Sequence, residues 1–218
     1  MPLILQEKIV FQTFHGKFGL WQITEEEDVL RTGLALHQEE QAQLENIKGE
    51  GRRKEFLAAR QLLHRMSGRS DRGPLLKDEF GKPHMYASPW HVSISHTTGL
   101  SAAVAHPRPC GIDVQIFVPK ISRIAPRFMS DAEASHLTDE NRLLFQHLVW
   151  SAKEVMYKAY GRREIDFREH LHVELGGLAL DKGRTWGTLK KDDWNLHYEL
   201  DYRVLDEKYM LVIGALMG

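Results

Sequence analysis

Hydrophobic positions along the chain follow two periods, one typical of helices and one typical of strands. From Leu144 to Ala159, apolar residues recur every three or four positions, which predicts a helix that begins near residues 139–142 and ends at Gly161. A second amphipathic helix is predicted over 52–66, where the apolar residues fall on one side. Both helices belong to longer stretches of helical character, residues 24–66 and 121–160, the second of which contains a capping box at Ser130.

Alternation of apolar and polar residues predicts strands in the other segments. Residues 3–23 predict a hairpin with its turn at His15-Gly16. Three strands are predicted over 91–96, 100–105 and 111–115, and three more over 171–174, 196–202 and 209–213. Each half of the chain thus has a long helical stretch followed by strands. We therefore predict an α+β fold built from two related halves, residues 1–110 and 111–218.

Composition narrows the functional classes. The chain has 218 residues, of which 42% are hydrophobic and 27% charged, as in folded globular proteins. A formal net charge of −1 argues against a general nucleic-acid binder, although it is compatible with a local basic site for a small polyanion. Cys110 is the only cysteine, which excludes an intramolecular disulfide. The apolar run at the N-terminus is too short for a signal peptide, and no run approaches the ~20 residues of a membrane span. We expect a cytoplasmic protein with no membrane or nucleic-acid partner.

Charged residues lie within two predicted apolar elements. Asp113 stands between Ile112 and Val114 on a strand, and Glu154 and Lys158 are four residues apart on one helix face. A carboxylate is costly to bury without a partner. A divalent cation held by Asp113 and Glu154 would satisfy both, and two carboxylates plus waters are a usual way to hold Mg²⁺ beside phosphates. A simple ion pair with Lys or Arg is the alternative for Asp113.

Basic residues lead the helix predicted over 52–66. Arg52, Arg53 and Lys54 follow Gly51, and cations at a helix N-terminus oppose the helix dipole. A bound anion such as phosphate would relieve this conflict. A solvated basic turn is the alternative. Nucleotide-binding glycine loops, the zinc-protease motif and the serine-hydrolase motif are all absent from the sequence.

Four separated motifs share an order and spacing that resemble the Sfp-type 4′-phosphopantetheinyl transferases over roughly residues 50–161. They are Phe80-Gly81-Lys82-Pro83, Ser93-Ile94-Ser95-His96-Thr97, Gly111-Ile112-Asp113-Val114, and Trp150-Ser151-Ala152-Lys153-Glu154 with Lys158. The resemblance implies two pseudo-symmetric halves with coenzyme A in the cleft between them. It implies transfer of 4′-phosphopantetheine to a serine of an acyl or peptidyl carrier protein, with release of 3′,5′-ADP. The implied enzyme is a transferase of the holo-[acyl-carrier-protein] synthase type.

The resemblance also implies roles for individual residues. Lys82 and Pro83 would line the adenine side, Ser95 and His96 would meet phosphates, and Arg52 or Arg53 would lie near the 3′-phosphate.

Asp113 and Glu154 would hold Mg²⁺, with Mn²⁺ as a possible substitute, while Lys153 and Lys158 would neutralise charge. Glu154 is the predicted base for the acceptor serine, and Lys158 the predicted stabiliser of the leaving group.

Gln115 departs from the family pattern, which often has an acid at this position. An amide oxygen can ligate a metal but carries no charge, so Gln115 is expected to be a weak ligand or to support one. The departure leaves an alternative function open: a non-catalytic module that binds coenzyme A or a carrier protein and has lost turnover. The sequence does not identify the carrier, and two halves that complete one cleft make a monomer sufficient.

Overall fold

A computed structural model describes residues 3–218 of the chain and their side chains from residue 5 onward. The chain divides into two compact units, one ending at Pro107 and one running from Arg108 to Gly218. Each unit has its own antiparallel sheet and its own long helix. This arrangement confirms the predicted α+β fold class.

The first unit packs a four-stranded sheet against one long helix. Its elements are β1 Leu3–Phe11, β2 Phe14–Gln22, α1 Glu27–Arg31, α2 Gln38–Glu45, α3 Glu50–Ser67, β3 Leu75–Lys77, β4 Pro83–Met85, β5 His91–Thr97 and β6 Leu100–His106. The sheet has the order β1-β2-β6-β5, and β3 and β4 form a separate two-stranded ribbon. The apolar side of α3, predicted from its period, packs on β2, β5 and β6.

The first hairpin forms as predicted, but its turn lies elsewhere. Phe11 pairs with Phe14, so the turn residues are Gln12 and Thr13, and Gln12 adopts a left-handed conformation. The predicted turn residue Gly16 lies inside β2 instead. A Cβ atom at Gly16 would come within 2.5 Å of the His106 ring, so this glycine serves close packing and not a turn.

The second unit packs a five-stranded sheet against the other long helix. Its elements are β7 Cys110–Ile116, α4 Ile121–Ile124, a 3₁₀ turn Ala125–Arg127, α5 Asp131–Ala134, α6 Arg142–Tyr160, β8 Leu171–Val173, β9 Lys182–Lys191, β10 Trp194–Leu205 and β11 Tyr209–Leu216. The strand order is β7-β11-β10-β9-β8. Helix α6 ends at Gly161, which adopts the left-handed conformation that the sequence predicted for a C-terminal stop.

A close approach between α6 and β7 fixes the position of the charged residues on both elements. Gly111 lies in β7, and a Cβ atom built there would stand 2.1 Å from the carbonyl oxygen of Val155. Only glycine permits this contact. Because Val155 follows Glu154 directly, the same contact holds the part of α6 that carries Glu154 close to the strand that carries Asp113.

The two units repeat one buried arrangement around a glutamate in the first turn of a short helix. In the first unit, Glu40 of α2 accepts hydrogen bonds from the His37 backbone N–H, from Arg60 of α3 at 3.0 Å and from the Leu75 backbone N–H at 3.0 Å. Arg72 also pairs with Glu40. Each unit thus ties a short helix, its long helix and the strand that follows through one buried carboxylate.

The corresponding glutamate of the second unit is Glu133 of α5. It accepts hydrogen bonds from the Ser130 backbone N–H at 2.8 Å, from Lys153 of α6 at 2.8 Å and from the Val173 backbone N–H at 2.9 Å. In both units the cation lies 20 residues after the glutamate in the chain. The predicted capping box at Ser130 is confirmed.

Candidate active site

Asp113, Gln115 and Lys158 form one hydrogen-bonded group in the second unit. The Asp113 side chain is buried, and its Oδ1 atom accepts a hydrogen bond from Lys158 Nζ at 2.7 Å. Lys158 also donates to the Ile112 carbonyl oxygen at 3.0 Å. The Gln115 amide nitrogen donates to Asp113 Oδ2 at 3.1 Å. Both oxygens of this buried carboxylate are therefore engaged within the unit.

Glu154 lies one helical turn before Lys158 and faces the same group. Burial raises the pKa of Glu154, Lys158 acts to lower it, and the nearby Asp113 carboxylate raises it further. Two carboxylates thus share a partly buried space with a single lysine. The structure brings together four of the predicted site residues: Asp113, Gln115, Glu154 and Lys158.

Lys153 is placed in a different environment, although it precedes Glu154 directly. Its ammonium group is fully buried and donates to Glu133 Oε2 and to the carbonyl oxygens of Phe128 and Phe167, at 2.6–2.9 Å. Burial lowers the pKa of Lys153, and the attraction of Glu133 opposes this effect. All three hydrogens of the ammonium group have acceptors, which favours a structural role for Lys153 over ligand binding.

In the first unit, two predicted phosphate ligands meet at one glutamate. Arg52 donates to Glu55 Oε2 at 3.0 Å, and His96 Nε2 lies 3.4 Å from the same oxygen. His96 is exposed at the end of β5, whereas the neighbouring Ser95 is buried. Glu55 is a member of this cluster that the sequence interpretation missed. Its position three residues after Arg52 on a helix was the available signal.

The basic residues at the start of α3 form ion pairs with nearby carboxylates. Arg53 pairs with Glu27 at 2.8 Å, and Lys54 pairs with both Glu26 and Glu50 at 2.8 Å. These pairs raise the pKa of Lys54 to about 12, through Glu26 first and Glu50 second. Carboxylates of the same unit neutralise Arg53 and Lys54, so the conflict with the helix dipole is relieved without a bound anion. Contact of Arg52 or Arg53 with a phosphate stays a prediction.

Lys82 and Pro83 lie where a tight turn enters β4. Asp78 closes this turn by accepting hydrogen bonds from the backbone N–H groups of Phe80 and Lys82 and by pairing with His84 at 2.9 Å. Burial acts to raise the pKa of Asp78, but these hydrogen bonds outweigh it and lower the pKa. The turn holds the Lys82 backbone in a fixed position beside Pro83.

The donor set around Asp113 fits a hard divalent cation. Across residues 5–218, no three His, Cys, Asp or Glu side chains are arranged to hold a metal ion. Mg²⁺, however, usually takes only one or two carboxylates from the protein and completes its shell with water and phosphate oxygens. Asp113 and Glu154 supply two carboxylates, and Gln115 supplies an amide. Burial first, and the Asp113 charge in addition, raise the pKa of Glu154, and a cation beside the two carboxylates would favour their ionised forms.

Two family models match the chain, one in each part. A model described as the 4′-phosphopantetheinyl transferase N-terminal domain matches residues 39–106, and a model of the 4′-phosphopantetheinyl transferase superfamily matches residues 109–209. Together these matches span most of the chain and include every predicted site residue. A search of curated proteins found no match. The fold and the two matches define the class of protein: the chain belongs to the 4′-phosphopantetheinyl transferase superfamily, as the sequence motifs predicted.

In the described part of the chain, no helix is both long and apolar enough to cross a bilayer.

Proposed function

We propose that the protein transfers 4′-phosphopantetheine from coenzyme A to the serine hydroxyl of an acyl or peptidyl carrier protein and releases 3′,5′-ADP in a Mg²⁺-dependent reaction. The enzyme would be of the holo-[acyl-carrier-protein] synthase type. The observation that carries this proposal is the group formed by Asp113, Glu154 and Lys158, in a chain that belongs to this superfamily. A partly buried pair of carboxylates with one lysine is suited to pyrophosphate chemistry.

The protein residues divide the tasks of the displacement between them. Asp113 and Glu154, with Gln115 beside them, would hold Mg²⁺, which when bound neutralises charge on the pyrophosphate. Glu154 would accept the proton of the carrier serine as the new P–O bond forms at the β-phosphorus of coenzyme A. Lys158 uses two of its three ammonium hydrogens on Asp113 and Ile112. The third would stabilise the 3′,5′-ADP that leaves as the pyrophosphate bond breaks.

The coenzyme itself would be bound by residues of the first unit. We propose that His96, Ser95 and Arg52 meet its phosphates, with Arg53 as an alternative for the 3′-phosphate, and that Lys82 and Pro83 lie on its adenine side. Glu55 would orient Arg52 and His96, since both converge on its carboxylate. Lys153 is left out of the binding set because its hydrogens are all engaged by buried acceptors.

A mass-spectrometric transfer assay tests the proposal. Purified protein is incubated with coenzyme A, Mg²⁺ and a panel of apo carrier proteins from fatty-acid, polyketide and nonribosomal-peptide systems. We expect one carrier to gain the mass of a single phosphopantetheine group. Asp113→Asn and Glu154→Gln should each slow transfer by about 10²–10⁴-fold, while Glu169→Gln, at an exposed position, serves as the control.

Calorimetric titration with coenzyme A distinguishes the transferase from the alternative function, a binding module without turnover. Gln115 favours a module that binds coenzyme A or a carrier without turnover, because its amide occupies Asp113 where a third acid could stand. Coenzyme A binding with no transfer to any carrier would support that module. Failure to bind coenzyme A would overturn the transferase, and failure to bind both coenzyme A and every apo carrier of the panel would overturn the alternative as well.

We further propose that the protein acts as a cytoplasmic monomer. Cys110 is buried and is the only cysteine of the sequence, so the chain has no intramolecular disulfide, which is compatible with a reducing compartment. Light scattering on the purified protein tests the monomer, and a mass of twice the chain would contradict it.

A further inference from the structure

The first unit contains a cavity that the proposed reaction does not use. Its volume is about 250 Å³, and it lies between the C-terminal end of α3 and the segment that joins β4 to β5. Its apolar walls include Leu63 and Met66 of α3, Met85 of β4, Val92 of β5 and the indole of Trp90. Small-molecule sites are typically about 300–1,000 Å³, so this cavity is slightly smaller than that range and suits only a small ligand.

The cavity is separate from the residues assigned to coenzyme A. None of Arg52, Arg53, Lys82, Pro83, Ser95 or His96 lines it. Val92 and Ser95 are three residues apart on β5 and therefore lie on opposite faces of the sheet. His96 shares the face of Val92 but stands four residues further on, about 13 Å along the strand.

Two cations line the cavity, and no carboxylate lines it. Lys17 Nζ donates to the Met66 carbonyl oxygen at 3.4 Å, and Arg69 Nη1 donates to the Tyr86 carbonyl oxygen at 3.3 Å. Within the described part of the chain, neither cation forms an ion pair. Each keeps further N–H donors beyond the hydrogen bond that positions it. Positive charge therefore lies beside an apolar space without a counter-charge from the protein.

We propose that this cavity binds a small amphipathic carboxylate, such as an acid with one aromatic ring on a short chain. Lys17 and Arg69 hold its carboxylate at the rim, and the ring packs among Met66, Met85 and Trp90. An inorganic anion alone would satisfy the cations but leave the apolar walls exposed to water. A neutral apolar molecule would cover the apolar walls but leave the two cations without an anionic partner. The site is independent of the proposed transferase function.

Titration of the intact protein with 4-phenylbutanoate tests the proposal, with 4-phenylbutan-1-ol as the uncharged analogue. Calorimetry should give at least tenfold tighter binding of the acid than of the alcohol. The indole N–H resonance that disappears in Trp90→Phe should shift on addition of the acid. The variant Lys17→Met/Arg69→Leu should lose the preference for the acid, whereas Lys8→Met/Arg123→Leu, with the same change of charge at exposed positions outside the cavity, should keep it.

Four results would overturn the proposal. The first is absence of binding by the acid, and the second is equal binding of acid and alcohol by the unmodified protein. The third is retention of the acid preference in Lys17→Met/Arg69→Leu when circular dichroism shows that the variant is folded. Saturating coenzyme A should leave the affinity for the acid unchanged. Displacement of the acid by coenzyme A is the fourth result that would overturn the proposal, because it would assign the cavity to the coenzyme site.

Discussion

Gln115 donates one of the hydrogen bonds that the buried carboxylate of Asp113 accepts. Its amide donates to Asp113 Oδ2 at 3.1 Å, on the opposite oxygen from Lys158. We predict that Gln115→Glu lowers the melting temperature in the presence of a chelator, because a third carboxylate would repel Asp113 and Glu154. Mg²⁺ should then raise the melting temperature of the variant by more than it raises that of the unmodified protein.

The control for this prediction is Asn195→Asp, which adds the same charge at an exposed position of β10. Its melting temperature should respond to Mg²⁺ as the unmodified protein does. If Gln115→Glu shows no additional stabilisation by Mg²⁺, the cation is not held beside Asp113. This readout does not depend on catalytic turnover.

Gly111 is the position at which a single methyl group should disturb the site most. The added Cβ atom would meet the backbone carbonyl of Val155 at 2.1 Å, and backbone atoms cannot move aside as a flexible side chain can. We predict that Gly111→Ala costs about 1–3 kcal/mol or more of unfolding free energy. It should also reduce transfer activity, because α6 must shift and carry Glu154 and Lys158 away from Asp113.

Gly51 provides the matched control for this substitution. It lies in the first turn of α3, and a Cβ atom there would meet nothing within 4 Å. Gly51→Ala should therefore be neutral or stabilising by up to about 1 kcal/mol, as expected from helix propensity. Chemical denaturation measures the free energy of unfolding of Gly111→Ala and Gly51→Ala. Equal stability of the two variants would show that α6 and β7 tolerate a wider separation.

Helix α6 carries two lysines with different tasks. Lys153 and Lys158 are five residues apart, so their side chains point about 140° from one another around the helix. We predict that Lys153→Met costs about 3–5 kcal/mol of stability, because it leaves the buried Glu133 carboxylate without its cation. Lys158→Met should cost less, since Lys158 is one-quarter exposed and Gln115 still donates to Asp113.

The order of the two lysine variants should reverse when transfer activity is measured in place of stability. At a temperature where both are folded, Lys158→Met should lose transfer, and Lys153→Met should retain most of it. Thermal denaturation and the carrier mass shift measure the two effects separately. Loss of activity in a fully stable Lys153→Met would return Lys153 to the coenzyme-binding set.

Helices and strands in which apolar residues recur regularly were predictable from the sequence, and the other elements were not. Helix α6 was predictable because its apolar residues recur over five turns and Gly161 ends them. Strand β9 was not singled out, because its buried positions are only Thr185, Gly187 and Leu189, which make a weak alternation. The ribbon of β3 and β4 has three residues in each strand, too few for any period to appear.

The partners of the charged residues were harder to predict than the residues themselves. Asp113 was singled out because an acid between Ile112 and Val114 needs a partner, and its ion pair with Lys158 was one of the alternatives. The bond between Glu133 and Lys153 spans 20 residues and two helices. No local spacing indicates it, because it depends on tertiary packing. The same holds for the acids that neutralise Arg53 and Lys54.

Across the whole molecule, each unit has its own hydrophobic core and its own buried glutamate. The core of the first unit surrounds Leu62 and Trp21, and that of the second surrounds Leu148 and Tyr198. Glu40 and Glu133 join the same kinds of elements in their respective units, with a cation from the long helix and a backbone N–H from the strand that follows. Local opening of a protein occurs in such contiguous cooperative parts. The units should therefore lose protection separately.

Hydrogen–deuterium exchange followed by mass spectrometry tests this separation with one matched substitution in each unit. Glu40→Gln removes the charge that Arg60 and Arg72 share, and Glu133→Gln removes the charge that holds Lys153. We predict that the first variant raises exchange within residues 3–107 and the second within residues 108–218, each with little change in the other unit. Because both substitutions leave a buried cation without its carboxylate, each should cost about 3–5 kcal/mol locally. Uniform loss of protection across both units in either variant would contradict the prediction, since it would mean that the chain opens as one cooperative body.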